Sequence, residues 1–163
     1  MPFEHQRHKP PTELSRPREI VVAMPPMRSN VNLSRIVRAA GVCGIHRVIA
    51  CGAAKVDPKI ARDGAESVCL ETPRTLAPVL KKLRGEGFRL VGLEQATNSH
   101  SLYEFQFARR TVLVIGHERT GLTEDLLSLL DEVVEIPVYG MPYSHNAATV
   151  SYTHLTLPTI CSV

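Results

Sequence analysis

The chain contains no tryptophan and only 4 tyrosines and 4 phenylalanines, which argues against a broad aromatic platform for stacking nucleobases. Its cysteines, Cys43, Cys51, Cys69 and Cys161, are never spaced as CxxC, so a zinc site is not indicated and no other metal is called for. Three of them lie in apolar runs, and buried, reduced thiols are expected. No apolar run is long enough to span a membrane, and the N-terminus lacks a hydrophobic signal core, so a cytoplasmic location is expected. Neither charge sign dominates: 19 Lys and Arg against 16 Asp and Glu leave a net +3. That balance permits an RNA partner without demanding one. A GxGxxG turn after the first strand, a Walker loop and a GxSxG elbow are all missing. Their absence argues against a dinucleotide-dependent dehydrogenase, a P-loop enzyme and a serine hydrolase.

What is present is a chain of 163 residues, long enough for one domain with a real core. Residues Met1 to Arg18 are polar and proline-bearing, with His5, Arg7, His8, Lys9, Arg16 and Arg18 set against Glu4 and Glu13. They read as a flexible tail, either solvated or serving as an arm for RNA phosphates. Beyond it, short apolar runs alternate with helical patterns. Strands are expected near 19–23, 46–51, 67–70, 88–93, 111–116 and 131–136, with the run Thr111 to Gly116 in the sheet centre. Leu33, Ile36, Val37 and Ala40 have helical spacing behind a cap at Asn30 or Asn32, with Gly41 and Gly44 as the stop. Asp57-Pro58 and Thr72-Pro73 open two further helices, and Thr123 caps one through Leu130. Residues Glu94 to Arg110 read as a polar loop. This alternation predicts an α/β fold: a mostly parallel sheet flanked by helices.

Three constellations carry polar residues at strand ends, where open α/β sheets bind ligands. In Asn32 to Arg38 the apolar positions face the core, so Arg35 and Arg38 leave elsewhere, either merely solvated or with Arg38 placed to hold a phosphate or orient a hydroxyl. Gly116-His117-Glu118-Arg119-Thr120-Gly121 follows the central strand, and its glycines allow close backbone approach to a ligand; a plain turn with a paired Glu118 reads equally well. Ile136 to Asn146 is a Pro/Gly/Ser/Asn loop in which Ser144 and Asn146 share a spacing that aims both into one cleft. His145 adjoins Ser144, but neighbouring side chains do not form a catalytic dyad, so His145 is expected to be structural or to face RNA.

Taken in order, these three pieces resemble motifs 1, 2 and 3 of the SpoU/TrmH RNA 2′-O-methyltransferase family, with motif 1 in Asn32 to Gly41, motif 2 in Leu113 to Leu122 and motif 3 in Ile136 to Thr149. The likeness runs from about Glu19 to Val150, and Val91 to Ser99 is similar to the branch that methylates a guanosine ribose in the tRNA D-loop. The resemblance implies a methyltransferase domain at 19–150 with a trefoil knot at its C-terminal end. It also implies S-adenosylmethionine bound in the knot, a homodimer, and tRNA or rRNA as substrate. Residue by residue, Arg38 matches the arginine that activates the ribose 2′-hydroxyl, Asn32 the motif 1 asparagine that supports it, and Glu118 the motif 2 acid. Ser144 and Asn146 match the motif 3 polar pair. Gly116, Gly121, Ile136, Met141 and Ser144 match cofactor-holding positions. The alternatives are a non-catalytic RNA-binding module of the same fold, or a fragment left inactive by loss of the knot helix.

After motif 3 the family pattern gives out. Val150 to Val163 is rich in β-branched residues, lacks a charged amphipathic face, and carries Pro158, which interrupts a helix. Residues 151–163 are therefore expected to be an atypical tail, read-through sequence on a gene fragment or a short end, leaving the knot helix incomplete.

Overall fold

Strands that are apolar along nearly their whole length belong in the middle of a sheet covered on both faces. Ile20–Met24 and Thr111–Ile115 are buried along their whole length, and they lie side by side in parallel, pairing Ile20 with Thr111 and Ala23 with Val114. Around this pair the computed structural model describes residues 3–5, 9–10, 19–141 and 145–156. Most of the basic tail, together with Ser144 and Cys161, lies outside the described residues.

In chain order the elements are β1 (Ile20–Met24), α1 (Asn30–Val42), β2 (Arg47–Ala50), α2 (Pro58–Ala61), α3 (Gly64–Ser67), β3 (Cys69–Glu71), α4 (Ala77–Gly85), β4 (Arg89–Leu93), β5 (His100–Ser101), β6 (Thr111–Ile115), α5 (Glu124–Leu127), β7 (Glu132–Glu135) and α6 (Ala147–Thr156). The sheet order is β3-β2-β1-β6-β4-β7-β5, and every pairing is parallel. β6 is the central strand, as its composition predicts. Alternation along each strand feeds two cores. Val22, Met24, Leu113 and Ile115 pack with Leu33, Ile36 and Val37 of α1 and with Ala148 and Leu155 of α6. Val21, Ala23, Val112 and Val114 face Leu80 and Leu83 of α4 on the other side. The mostly parallel α/β sheet flanked by helices is thus the observed architecture. Among the described residues no helix is long and apolar enough to cross a membrane.

Local chemistry moves several boundaries. The cap of α1 is Ser29, whose hydroxyl accepts from the Asn32 N–H at 3.2 Å, not Asn30 or Asn32. Gly41 does not stop α1; it lies within the helix because α3 crosses there, and a methyl on it would meet the Gly64 Cα at 3.0 Å. The turn with positive φ is left to Gly44. Asp57 accepts from the Lys59 N–H at 2.9 Å ahead of Pro58, as the Asp-Pro pair predicts. The helix expected from Thr72-Pro73 begins only at Ala77, because the Pro73 carbonyl is taken by the Gly52 N–H at 2.9 Å and the connector is held extended. His100–Ser101 adds a short edge strand inside the expected loop. Cys43 and Cys51 are buried, but Cys69 is exposed, a correction set by its place on edge strand β3.

The first part of the segment after motif 3 differs from the expected one, while residues 157–163, with Pro158, lie outside the described residues. Residues Ala147–Thr156 are helical. Asn146 caps this helix, its Oδ1 accepting from the Ala148 N–H at 2.9 Å, and Ala148, Ser151 and Leu155 are buried on one side. A cap and a packed face outweigh the weak helix propensity of β-branched residues.

The close crossing of α1 and α3 is testable. A methyl at Gly64 would stand 2.9 Å from the Arg38 Cα and 3.0 Å from the Val37 carbonyl oxygen, and backbone cannot yield as a side chain does. Gly64→Ala is expected to cost about 1–3 kcal/mol, read as a lower urea midpoint at unchanged m-value.

Candidate functional site

The C-terminal ends of β4, β6 and β7 and the start of α6 enclose a cavity of about 340 Å³. Its floor is the turn that follows β6. The His117 N–H donates to the Gly121 carbonyl at 3.0 Å, and the Gly121 N–H donates back at 2.9 Å, so five residues close on themselves. A methyl on Gly116 would sit 2.7 Å from the Gly121 carbonyl carbon, and Gly121 has φ +63°; both positions need glycine. The Glu94 carboxylate, at the end of β4, clamps the turn from the side. One oxygen accepts from the Leu122 N–H at 2.8 Å and the other from the Gln95 N–H at 3.2 Å. A side chain on Gly121 would overlap that carboxylate.

Glu118 projects from the same turn toward α1. Its Oε1 accepts from the Ser29 N–H at 3.0 Å and from Asn32 Nδ2 at 3.4 Å, and its Oε2 accepts from the Arg28 N–H at 3.1 Å. The side chain is only 15% exposed. Burial alone pushes its pKa up, but its own backbone N–H, those of Arg28 and Ser29, and the Asn32 amide together hold it below the usual glutamate value. Glu118 is therefore a fixed anion at neutral pH, unsuited to proton transfer there. Asn32 passes the contact on: its Oδ1 accepts from Asn146 Nδ2 at 3.3 Å. One chain of hydrogen bonds thus runs from the β6 turn through the N-terminus of α1 to the N-terminus of α6.

The structure brings together Asn32, Glu118 and Asn146 of the expected catalytic set. Gly116, Gly121 and Ile136 of the expected cofactor set line the cavity, as does Glu118. It does not bring Arg38 into the cavity: the arginine is exposed on α1, six residues along from Asn32. Met141 is 66% exposed and is not among the lining residues; Ser144 lies outside the described residues. Sequence reasoning missed Glu94, Glu135 and the Ser29 cap, and left His145, which lines the cavity, without a ligand role. The position of Glu94 directly after a buried strand was the one signal that pointed to it.

A family model described as the SpoU rRNA Methylase family matches residues 19–152. The chain belongs to that family. Within the SpoU family it is 30% identical over 136 residues to the tRNA (guanosine(18)-2′-O)-methyltransferase of Escherichia coli strain K12, an alignment that covers 82% of this chain and 59% of the relative. It is 33% identical over 126 residues to a 23S rRNA (guanosine-2′-O-)-methyltransferase of Burkholderia, covering 74% and 50% respectively. The A. aeolicus TrmH/SpoU tRNA modifying enzyme superposes with a TM-score of 0.80 at 25% identity, covering 87% of this chain and 74% of that one. The SpoU methyltransferase AviRb of Streptomyces viridochromogenes, solved in complex with AdoMet, gives 0.75 at 27% identity, covering 86% and 59%. The chain thus spans 59% of the length of the E. coli relative.

The carboxylate that orders this SpoU-family site sets a pH dependence. Its folded pKa lies below its unfolded one, so its contribution is present above the ordinary glutamate range and is lost as pH falls through the lowered value. Glu118→Gln is expected to destabilise at neutral pH by roughly 1–3 kcal/mol. The gap from the parent should narrow as pH falls below about 4, which urea denaturation across pH 7 to 3 measures.

Proposed function

We propose that this chain carries out S-adenosylmethionine-dependent methylation of a ribose 2′-hydroxyl in RNA, with tRNA or rRNA as the substrate class. The observation that carries the reading is the junction of Glu118, Asn32 and Asn146 at the rim of the cavity, in a chain of the SpoU family. The cavity volume falls in the lower part of the range for small-molecule sites, about 300–1,000 Å³. Leu93, Ile115, Ile136 and Val150 offer apolar walls for a purine, while Glu94, Glu118 and Glu135 offer negative charge to a cationic ligand. These residues fit S-adenosylmethionine, which when bound supplies an activated methyl group on a positively charged sulfur.

The chain's own work is then positioning. The glycine turn presents backbone to the ligand, and the three carboxylates favour its charge. Asn32, held by Glu118 and Asn146, and Arg38 on the exposed face of the same helix meet the RNA. The guanidinium of Arg38 is free of ion pairs among the described residues and is suited to grip a phosphate and orient the adjacent hydroxyl. We further read α6 as the helix that closes a trefoil knot, because its first turn is tied to Asn32. We also read the chain as a homodimer, as the resemblance to the family implies. An RNA substrate fits a cytoplasmic site of action.

Transfer of tritiated methyl groups to unmodified tRNA and rRNA tests the reading. Incorporation at ribose is expected; RNA binding with no incorporation would leave the non-catalytic module of the same fold. Arg38→Ala should lower turnover by on the order of 10²-fold while calorimetry finds S-adenosylmethionine binding unchanged. Full turnover in that variant removes Arg38 from the mechanism.

A further inference from the structure

The opposite rim of the sheet holds a second cavity that the reaction above leaves unused. Its volume is about 510 Å³ and it opens where β1, β2, β4 and β6 begin, lined chiefly by Glu19, His46, Arg47, Phe88, Arg109 and Arg110. Arg47 is satisfied by Glu71, at 2.6 Å from Nε and 3.3 Å from Nη2. Arg109 and Arg110 share one carboxylate. Glu19 accepts from Arg109 Nη2 at 3.2 Å and from Arg110 Nε at 3.0 Å. One carboxylate therefore answers two guanidinium groups, while Glu86 acts on Arg47 from further away.

These groups are built in rather than loosely arrayed. Arg110 lies 4.5 Å above the Phe88 ring, and its carbonyl accepts from the Arg89 N–H at 2.9 Å. Glu19 is fixed by its own carbonyl, which accepts from the Thr111 N–H at 3.2 Å. His46 Nδ1 faces the Ser67 carbonyl at 3.3 Å. Half-exposed ion pairs such as these are worth only about 0–1 kcal/mol, so Glu19 can give way to a phosphate, to which guanidinium groups bind in fork geometry.

We infer that this rim is an RNA phosphate-binding site that anchors the substrate while the target ribose sits at the other end of the strands. Five-residue strands set the two rims about 16 Å apart, a separation that a single RNA molecule spans. The inference rests on the reading that the substrate is RNA.

Fluorescence anisotropy with an unmodified tRNA transcript, across a salt series, tests it. Glu19→Gln leaves both arginines without their partner. It should tighten tRNA binding about three- to tenfold and steepen the salt dependence by about one charge, a gain that misfolding cannot mimic. Arg109→Gln with Arg110→Gln should weaken binding about tenfold or more and flatten the salt dependence by about two charges. Arg109→Lys with Arg110→Lys should restore most of it. If the parent binds tRNA and both Glu19→Gln and the double glutamine variant leave affinity unchanged, the rim site is wrong and the methyltransferase reading stands. A parent that binds neither tRNA nor unmodified rRNA overturns both. Inorganic phosphate bound at the rim with no effect of these variants on tRNA makes it an anion pocket and overturns the RNA assignment.

Discussion

A carboxylate stripped of most of its water must find donors inside the protein or become protonated. Besides its own backbone N–H, Glu118 finds three, and these belong to the turn and first helical residues that follow β1. This is the constraint on which the site depends. β1 and β6 are neighbours in the sheet, but pairing of strands does not fix the loops above them. The carboxylate does, by tying the β6 turn to the entrance of α1. Asn32, once oriented by that anion, has an oxygen left to orient Asn146, and Asn146 has an oxygen left to start α6. Each group is placed by the one before it.

The same rim shows why two glycines and two glutamates form one unit. Gly116 and Gly121 let the turn close to a span no side chain would fit. Glu94 takes an N–H that the tight turn leaves over, and Glu118 carries the turn's outer side to α1. With Glu135, these groups make the rim where β4, β6 and β7 end electronegative, while Arg47, Arg109 and Arg110 sit where the strands begin. The strands therefore separate two rims of opposite character, a property of loop chemistry rather than of the modest net charge.

Much of this was legible in the sequence, because burial writes itself as composition. Val112–Ile115 is continuously apolar and lies in the central strand; Asp57-Pro58 starts a helix because the cap and the fixed φ of proline are both local. The three motifs could be placed at strand ends for the same reason. What was not legible depends on partners distant in sequence. Ser29 displaces the two asparagines as the cap of α1 because Asn32 is needed by Glu118, 86 residues later. α6 forms against its own weak propensity because α1 offers a surface to bury Ala148 and Leu155. Glu94 looked like the first residue of a polar loop, and only the fold puts Leu122 beside it.

The strand order has a kinetic side. β1, β2 and β3 follow one another in both sequence and space, so that half of the sheet can assemble early around α1. β4 has no place in it: its neighbours are β6 and β7, both made later. β6 must arrive to join the two halves, bridging Ile20 to Thr111 across most of the intervening chain. Such remote pairings are slow because the loop-closure entropy comes first. Until then β1 presents a bare, wholly apolar edge, and a nascent chain of this protein is most prone to aggregate in the interval between synthesis of Met24 and of Ile115.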